Sequence, residues 1–426
     1  MDNKSLLTRR ARVLGNNTPL FYDEPVHIVR GENVWLYDAD GKRYLDCYNN
    51  VPHVGHCHPH VVNALHEQAS TLNVHTRYLH EKIVNYAERL TGLFPDPLSA
   101  AMFVCTGSEA NDQALRIARL CTGGQGIICT DMTYHGNTTA VDEISPLFYG
   151  GVPQHPNVRA IPFPDTYRPL NGLEGEALLN AYLNKVQQAI DDFASHNIPF
   201  AGMLLCSIFA NEGLPNPPVG FVKQAVEMVR NAGGLFIADE VQAGFGRTGK
   251  MWGFEFCDVI PDIVTLGKPI GNGHPLAAVI ADPKLVNQFR DEVMYFNTFA
   301  GNPVSCAVGD AVLDVMEQED LRSNAKQVGD YIRLQLAELQ KELPIIGDVR
   351  GHGLWIGIEL VKNQEHKTPA TQAAKVTINA LKDRGVLTGR IGPHDNIIKI
   401  RPPLPIQQEH ADLLVDNLAH VLRENV

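Results

Sequence analysis

The chain has 426 residues, 44% of them hydrophobic and 20% charged, which is enough for roughly two or three domains around a large core. Its 36 basic and 48 acidic residues give a formal net charge of -12, which argues against a nucleic-acid binder, since that needs a basic face, but leaves room for a local cationic pocket. The longest apolar run, Phe200 to Ala210, is far below the ~20 residues that cross a bilayer, and the eight cysteines include no CxxC pair, so free thiols in a reducing cytoplasm are expected.

The opening stretch MDNKSLLTRRARVLG lacks the apolar core of a signal peptide and predicts a short basic helix. Residues 26–48 alternate apolar and polar positions, with a hairpin turn at Asp40-Gly41. Residues 60–92 predict two helices. From about Ala100, short apolar runs alternate with amphipathic stretches. Strands are predicted at 101–105, 126–131, 201–207, 234–239, 262–267 and 277–282, with helices such as 108–121 and 222–233 between them. That alternation implies a mostly parallel sheet covered on both faces.

After about Pro303 the pattern predicts one long helix over roughly 304–342, a strand at 353–361, a helix at 368–384, a strand at 397–404 and a last helix to about 423. The expected fold class is α/β. A large domain with a mostly parallel central sheet spans 53–303, and a smaller α+β domain is built from 304–426 with the N-terminal segment 1–52.

Three stretches bear on chemistry. CTGSEAN (105–111) joins a strand to a helix. Gly107 permits a tight turn and Ser108 is a good N-cap. Free N–H groups at a helix start suit a phosphate, although alone the pattern is only a capped helix. GLFIADEVQAGFGRTG (234–249) places Asp239 at the end of an apolar strand, where α/β sheets bind ligands. TLGKPIGNGHP (265–275) places Lys268 after a second such strand, in a stiff loop with Asp262 as the nearest acidic residue before it. Burial beside positive charge would leave that amine neutral and able to form a Schiff base. A phosphate cradle, a carboxylate and a reactive lysine are the parts that pyridoxal phosphate needs, and Tyr134 in MTYHGN is placed to stack on its ring. The histidines of HVGHCHPH (53–60) predict no metal site, because His56, Cys57 and His58 are too close together to make a tetrahedral set and no second cluster follows.

These pieces resemble the class III aminotransferases, which are fold-type I pyridoxal-phosphate enzymes. YLD (44–46), GHCHP (55–59), TGSEAN (106–111), YHG (134–136), ADEVQAGFGRTG (238–249), TLGKPIGNGHP and NTFAGNP (297–303) occur in family order over nearly the whole chain. The resemblance implies that Gly107 and Ser108 hold the cofactor phosphate, Tyr134 stacks, Asp239 pairs with the ring nitrogen and Gln242 touches the ring hydroxyl. It implies that Lys268 forms the internal aldimine. It also implies a homodimer with a shared active site, in which Thr298 reaches the phosphate bound by the neighbouring subunit.

Two departures concern the substrate. Many family members carry Glu-Pro where this chain has Cys206-Ser207, and an Arg three residues before the final Pro-Pro-Leu where this chain has Lys399, with Arg401 two residues on. Loss of the arginine clamp weakens the case for an oxo-acid acceptor. YNNVPHVGHCHP (48–59) and VHTRYLHE (74–81) resemble the branch that contains ethanolamine-phosphate phospho-lyase. The expected activity is therefore elimination of phosphate from phosphoethanolamine or a close relative, through the Lys268 aldimine and a quinonoid, giving acetaldehyde and ammonia. Arg77, Asn50 and Lys399 would hold the substrate phosphate; Lys268, Asp239 and Tyr134 would be catalytic. The alternative is a class III aminotransferase acting on a small amine or amino acid. A lone Arg401 in the site would favour it, whereas a cluster built on Arg77 would favour the lyase.

Overall fold

The computed structural model describes residues 3–425. The helix α1 (Asn3–Leu14) carries TRRAR and buries no side chain. Three antiparallel strands follow: β1 (Ile28–Glu32), β2 (Trp35–Asp38) and β3 (Arg43–Asp46). The Asp38 carboxylate closes the β2–β3 turn by accepting from the N–H groups of Asp40 and Lys42. Helices α2 (Pro59–Thr71) and α3 (Glu81–Thr91) lead into the large sheet.

That sheet holds β4 (Ala100–Val104), β5 (Gly126–Thr130), β6 (Val158–Ile161), β7 (Phe200–Leu205), β8 (Leu235–Asp239), β9 (Ile263–Leu266) and β10 (Ala277–Ala281), in the order β4-β10-β9-β8-β7-β5-β6. β5 through β9 pair in parallel, and only β10 runs antiparallel, to both β4 and β9. β5, β9 and β10 are buried at every position, as expected of strands covered on both faces. The covering helices are α4 (Gly107–Thr122), α5 (Thr139–Asp142), α6 (Gly175–Ser195), α7 (Phe221–Asn231) and α8 (Pro283–Glu292). Ala110, Ala114, Ile117 and Ala118 form the buried stripe of α4, spaced so that they share one face.

The predicted 304–342 helix is two helices, α9 (Pro303–Gln318) and α10 (Leu321–Glu342). Asp320 breaks it with left-handed dihedrals, φ 44 and ψ 45, and its carboxylate accepts from the Ser323 hydroxyl at 2.8 Å. EQED contains no Gly or Pro to mark such a break, but Asp visits this region more readily than most residues. A second sheet holds β11 (Ile346–His352) and β12 (Trp355–Leu360) with β14 (Gly389–Ile391) and β15 (Ile397–Ile400). Helices α10 and α11 (Thr371–Asp383) pack on it, and α12 (Gln408–Asn425) packs against those two helices. The two-residue strand β13 (Val386–Leu387) pairs with β3, which ties the N-terminal strands to the C-terminal part. β6, β11, β13 and β14 have no counterpart among the predicted strands. Among the described residues no helix is long and apolar enough to cross a membrane, and all eight cysteines are free thiols.

Candidate active site

The carboxyl ends of the parallel strands meet at a cavity of about 320 Å³ lined by Gly107, Ser108, Tyr134, Val241 and Lys268, among others. A larger hollow of about 420 Å³ lies by the 214–223 loop and contains none of these residues. Chemistry, not size, locates the candidate site.

One wall is the start of α4. Its N-cap is Thr106, not Ser108 as the sequence reading had it. Thr106 is extended, its hydroxyl accepts from the Glu109 N–H at 3.1 Å, and Glu109 Oε2 accepts from the Thr106 N–H at 2.9 Å. Thr-x-x-Glu is a capping box, and TGSE carries that signal. Ser108 is thereby released, and its Oγ meets Asn137 instead. A Cβ on Gly107 would lie 2.9 Å from Val241 Cγ1, and one on Gly267 would lie 3.3 Å from Gly107 Cα. The lysine loop and the helix start therefore meet backbone to backbone, and the open N–H groups between them fit an anion.

Asp239 ends β8 and is buried. Its Oδ2 accepts from Asn111 Nδ2 at 3.0 Å and from His135 Nδ1 at 2.7 Å, and its Oδ1 accepts from the Val241 N–H at 3.0 Å. Asn111 also donates to the His135 carbonyl at 2.7 Å and accepts from the Thr265 hydroxyl at 2.6 Å. With Nδ1 donating to the carboxylate, His135 Nε2 accepts from the Thr133 hydroxyl, 2.9 Å away. Asn111 and His135 were not singled out from sequence, although both lie in the SEAN and YHG motifs.

Lys268 follows β9 through Gly267 and has φ 30, in the left-handed region. A non-glycine residue held there stores about 1–3 kcal/mol of strain. Burial pulls the Lys268 ammonium down to about 8; Asp239 opposes the shift and the charge of Arg401 adds to it.

Lys399 in β15 and Arg401 just beyond it project to the same side, as residues two apart in extended chain do. Both are buried. The Arg401 guanidinium lies 4.5 Å from the Tyr48 ring and 5.4 Å from the Trp355 ring; the Lys399 ammonium lies 6.0 and 5.9 Å from the same rings. Burial lowers both below their ordinary values, and Arg401 and Lys268 push Lys399 down further. The acceptors around Arg401 are uncharged: Gln242 Oε1 at 2.7 Å and the Tyr48 hydroxyl. Asp46, a carboxylate within electrostatic reach of Arg401, already accepts from His56 at 2.7 Å and from Asn49. Arg401 Nε and Asn50 Nδ2 are buried without a hydrogen-bond partner. Unpaired buried donors of this kind await an acceptor.

Other expected residues are placed as follows. Tyr134 lines the cavity, half-buried, with its ring edge-on to Phe148 at 5.4 Å. None of Asn50, Arg77, Thr298, Lys399 and Arg401 lines the cavity itself; Thr298 and Arg77 are exposed, and the Arg77 guanidinium stacks 3.9 Å over the Phe296 ring, whereas Asn50, Lys399 and Arg401 are buried. Within one chain the cationic cluster is thus built on Lys399 and Arg401. The histidines of HVGHCHPH disperse: His53 faces the Phe245 carbonyl, His56 faces Asp46, His58 faces Glu319 and His60 faces Asp314.

The profile of the family described as aminotransferase class-III matches residues 21–422. The chain is 42% identical over 413 residues to a Drosophila melanogaster protein named alanine–glyoxylate aminotransferase 2-like, covering 95% of this chain and 84% of that one. It is 38% identical over 438 residues to ethanolamine-phosphate phospho-lyase homolog 1 of Caenorhabditis elegans, covering 99% and 94%. Among solved structures, a phospholyase from Arthrobacter in complex with phosphoethanolamine superposes with a TM-score of 0.96 at 45% identity, covering 99% of this chain and 100% of that one.

Proposed function

The chain belongs to the class III aminotransferases, fold-type I enzymes that depend on pyridoxal phosphate, and on that premise we propose that it is a phospho-lyase. Its substrate is phosphoethanolamine or a close O-phospho amine, and its products are acetaldehyde, ammonia and phosphate. The observation that carries this reading is the pair Lys399 and Arg401, buried beside Lys268 with uncharged acceptors around it. A phosphate monoester supplies the charge that such a pocket lacks.

The residues fit the cofactor. The start of α4, with Gly107 and Ser108, would take its phosphate, Asp239 its ring nitrogen, Gln242 its ring hydroxyl, Tyr134 its ring face and Lys268 its aldehyde. When bound there, pyridoxal phosphate provides an aldehyde for the substrate amine and an electron sink for the adjoining carbon. Lys268, once free as a neutral amine, takes the proton from the amine-bearing carbon. Asp239, fixed by His135 and Asn111, holds the proton on the ring nitrogen. Lys399, Arg401 and Asn50 hold the phosphate and stabilise the negative charge it carries off when its C–O bond breaks. Water then converts the released unsaturated amine to acetaldehyde and ammonia, so atoms balance without an oxo acid.

We also propose a cytoplasmic homodimer in which Thr298 and Arg77, both exposed on their own chain, approach the neighbouring site. The second reading is an aminotransferase, supported by Arg401 and by the name of the Drosophila relative. The test is incubation of the holoenzyme with phosphoethanolamine and no oxo acid. The lyase predicts equal and sustained release of phosphate and acetaldehyde over many turnovers. A single equivalent of reaction that resumes only on adding an oxo acid would establish the aminotransferase.

A further inference from the structure

The loop after β7 is buried at every residue from 206 to 215. Such loops are uncommon, because their polar groups must all find partners inside the protein. Asn211 lies in the middle of this one and is 8% exposed. Its backbone N–H donates to Glu212 Oε2 at 3.0 Å, and Glu212 Oε1 accepts from the hydroxyl of Thr130, the last residue of β5. The Asn211 side chain therefore starts from a fixed backbone. Its Nδ2 donates to the Tyr134 carbonyl at 3.0 Å, and its Oδ1 accepts from Gln242 Nε2 at 3.4 Å, the longest link of the set. Gln242 Oε1 accepts in turn from Arg401 Nη1 at 2.7 Å. The chain Arg401–Gln242–Asn211–Tyr134 has only one polarity, because a guanidinium only donates and a backbone carbonyl only accepts. Arg401 turns the Gln242 oxygen toward itself, and the Tyr134 carbonyl turns the Asn211 nitrogen toward itself. The two amides then meet nitrogen to oxygen. Flipping either one would set like groups face to face in a buried site. Gln242 Nε2 keeps a second hydrogen beyond the one given to Asn211.

We propose that Asn211 is a positioning residue for the cofactor. It holds the Gln242 amide with a nitrogen-bound hydrogen left for the ring hydroxyl oxygen, and it anchors the backbone from which the Tyr134 ring projects. Tyr134 lines the cavity, whereas Asn211, Gln242 and Arg401 do not. The two amides thus tie the cavity wall to the buried Arg401 behind it. Supporting partners of this kind set the orientation of the groups that touch a ligand. The inference rests on the reading that places Gln242 and Tyr134 at the cofactor ring, and it is independent of the substrate.

The experiment follows the holoenzyme by the absorbance and induced circular dichroism of its bound cofactor, and by the rate at which cofactor leaves on dialysis. Asn211→Leu has nearly the same volume and makes neither side-chain bond. It is expected to shrink the dichroic band, to speed cofactor loss by about tenfold or more, and to lower kcat more than it raises KM. Asn211→Asp keeps an acceptor for Gln242 but, as a carboxylate, sets an oxygen against the Tyr134 carbonyl. At pH 8 it is expected to resemble Asn211→Leu. Relative to the unsubstituted protein at the same pH, it should recover as pH falls toward about 6, because a protonated carboxyl donates to Tyr134 and accepts from Gln242 as the amide did. Should Asn211→Leu not fold, the acid recovery of Asn211→Asp carries the test by itself. An Asp variant that shows no recovery in acid would overturn the assignment. So would variants that lose thermal stability but keep the band and the cofactor, which would reduce Asn211 to packing. Gln242→Met breaks the chain without touching Tyr134, and so separates the inference from the reading beneath it. If Gln242→Met leaves the band unchanged, the placement of Gln242 at the ring falls, and with it the part of the assignment that runs through Gln242. If Gln242→Met alters the band and Asn211→Leu does not, that placement stands and the role of Asn211 falls.

Discussion

His135 Nδ1 lies 2.7 Å from Oδ2 of Asp239, and both groups are buried. The contact joins the loop after β5 to the end of β8 and uses up one lone-pair site of a carboxylate whose other oxygen already accepts from Val241. A carboxylate aimed by this many partners keeps one orientation, and orientation is what a ring nitrogen held in one place requires.

Replacing His135 should therefore act through Asp239. His135→Ala is expected to lower kcat by about 10- to 100-fold and to speed loss of the yellow cofactor on dialysis. His135→Asn, which can still donate, should restore part of both. Steady-state kinetics with absorbance of the retained cofactor would check this, and an Asn variant no better than Ala would reduce His135 to packing.

Lys268 sets a pH dependence. Only the unprotonated amine captures an aldehyde, and its folded value lies near 8, below the ordinary 10.5. In cofactor-free protein the rate of cofactor capture should rise as pH passes through about 8 and level off above it. Arg401 is a like charge that lowers this value, so Arg401→Met should move the midpoint upward. Stopped-flow absorbance from pH 6 to pH 10 would measure both. Lys268→Ala should leave no borohydride-reducible link and cut turnover by roughly 10⁴ or more.

Lys399 and Arg401 should matter most for the phosphate. Lys399→Met or Arg401→Met is expected to cost about a hundredfold in kcat/KM for phosphoethanolamine, the scale of a lost charge-assisted contact. Binding of the cofactor should change little in Lys399→Met. Loss of cofactor in that variant, with an unchanged KM, would contradict the assignment.

The proposed homodimer makes Arg77 testable by mixing. Chains carrying Lys268→Ala and chains carrying Arg77→Ala are each expected to be poorly active alone. If Arg77 serves the neighbouring site, the mixed dimer pairs the intact Lys268 of one chain with the intact Arg77 of the other and regains one working site. Absence of recovery on refolding the two together would return Arg77 to its stack on Phe296.

Arg247, fully buried, joins three parts of the chain. It donates to the Leu354 carbonyl at 3.2 Å, to the Pro402 carbonyl, and to His53 Nδ1 at 3.2 Å. Arg247→Met should destabilise the protein by about 2–4 kcal/mol, because these groups would be left buried without partners. Thermal unfolding would show the loss as a lower Tm.

The sequence by itself determined the elements whose signals are local. Short apolar runs such as FAGMLL and AAVIA, alternating with amphipathic stretches, point to strands covered on both faces, and Asp239 and Lys268 follow such runs, so their place at the carboxyl edge of the sheet was legible in advance. The motifs in family order determined the cofactor. Tertiary structure alone decided what touches these residues. His135 reaches Asp239 across 104 positions of chain, and Arg401 reaches Gln242 across 159; no periodicity encodes such contacts. The same holds for the break at Asp320, where a left-handed aspartate carries no Gly or Pro signal, and for β13, whose two residues find their partner in β3 only once both parts of the chain have folded. Local propensity marks the longer, strongly patterned strands and helices, because it depends on neighbours in sequence. Charge balance in the pocket depends on neighbours in space, and so the exposed Arg77 and the buried Lys399–Arg401 pair could be told apart only in the folded chain.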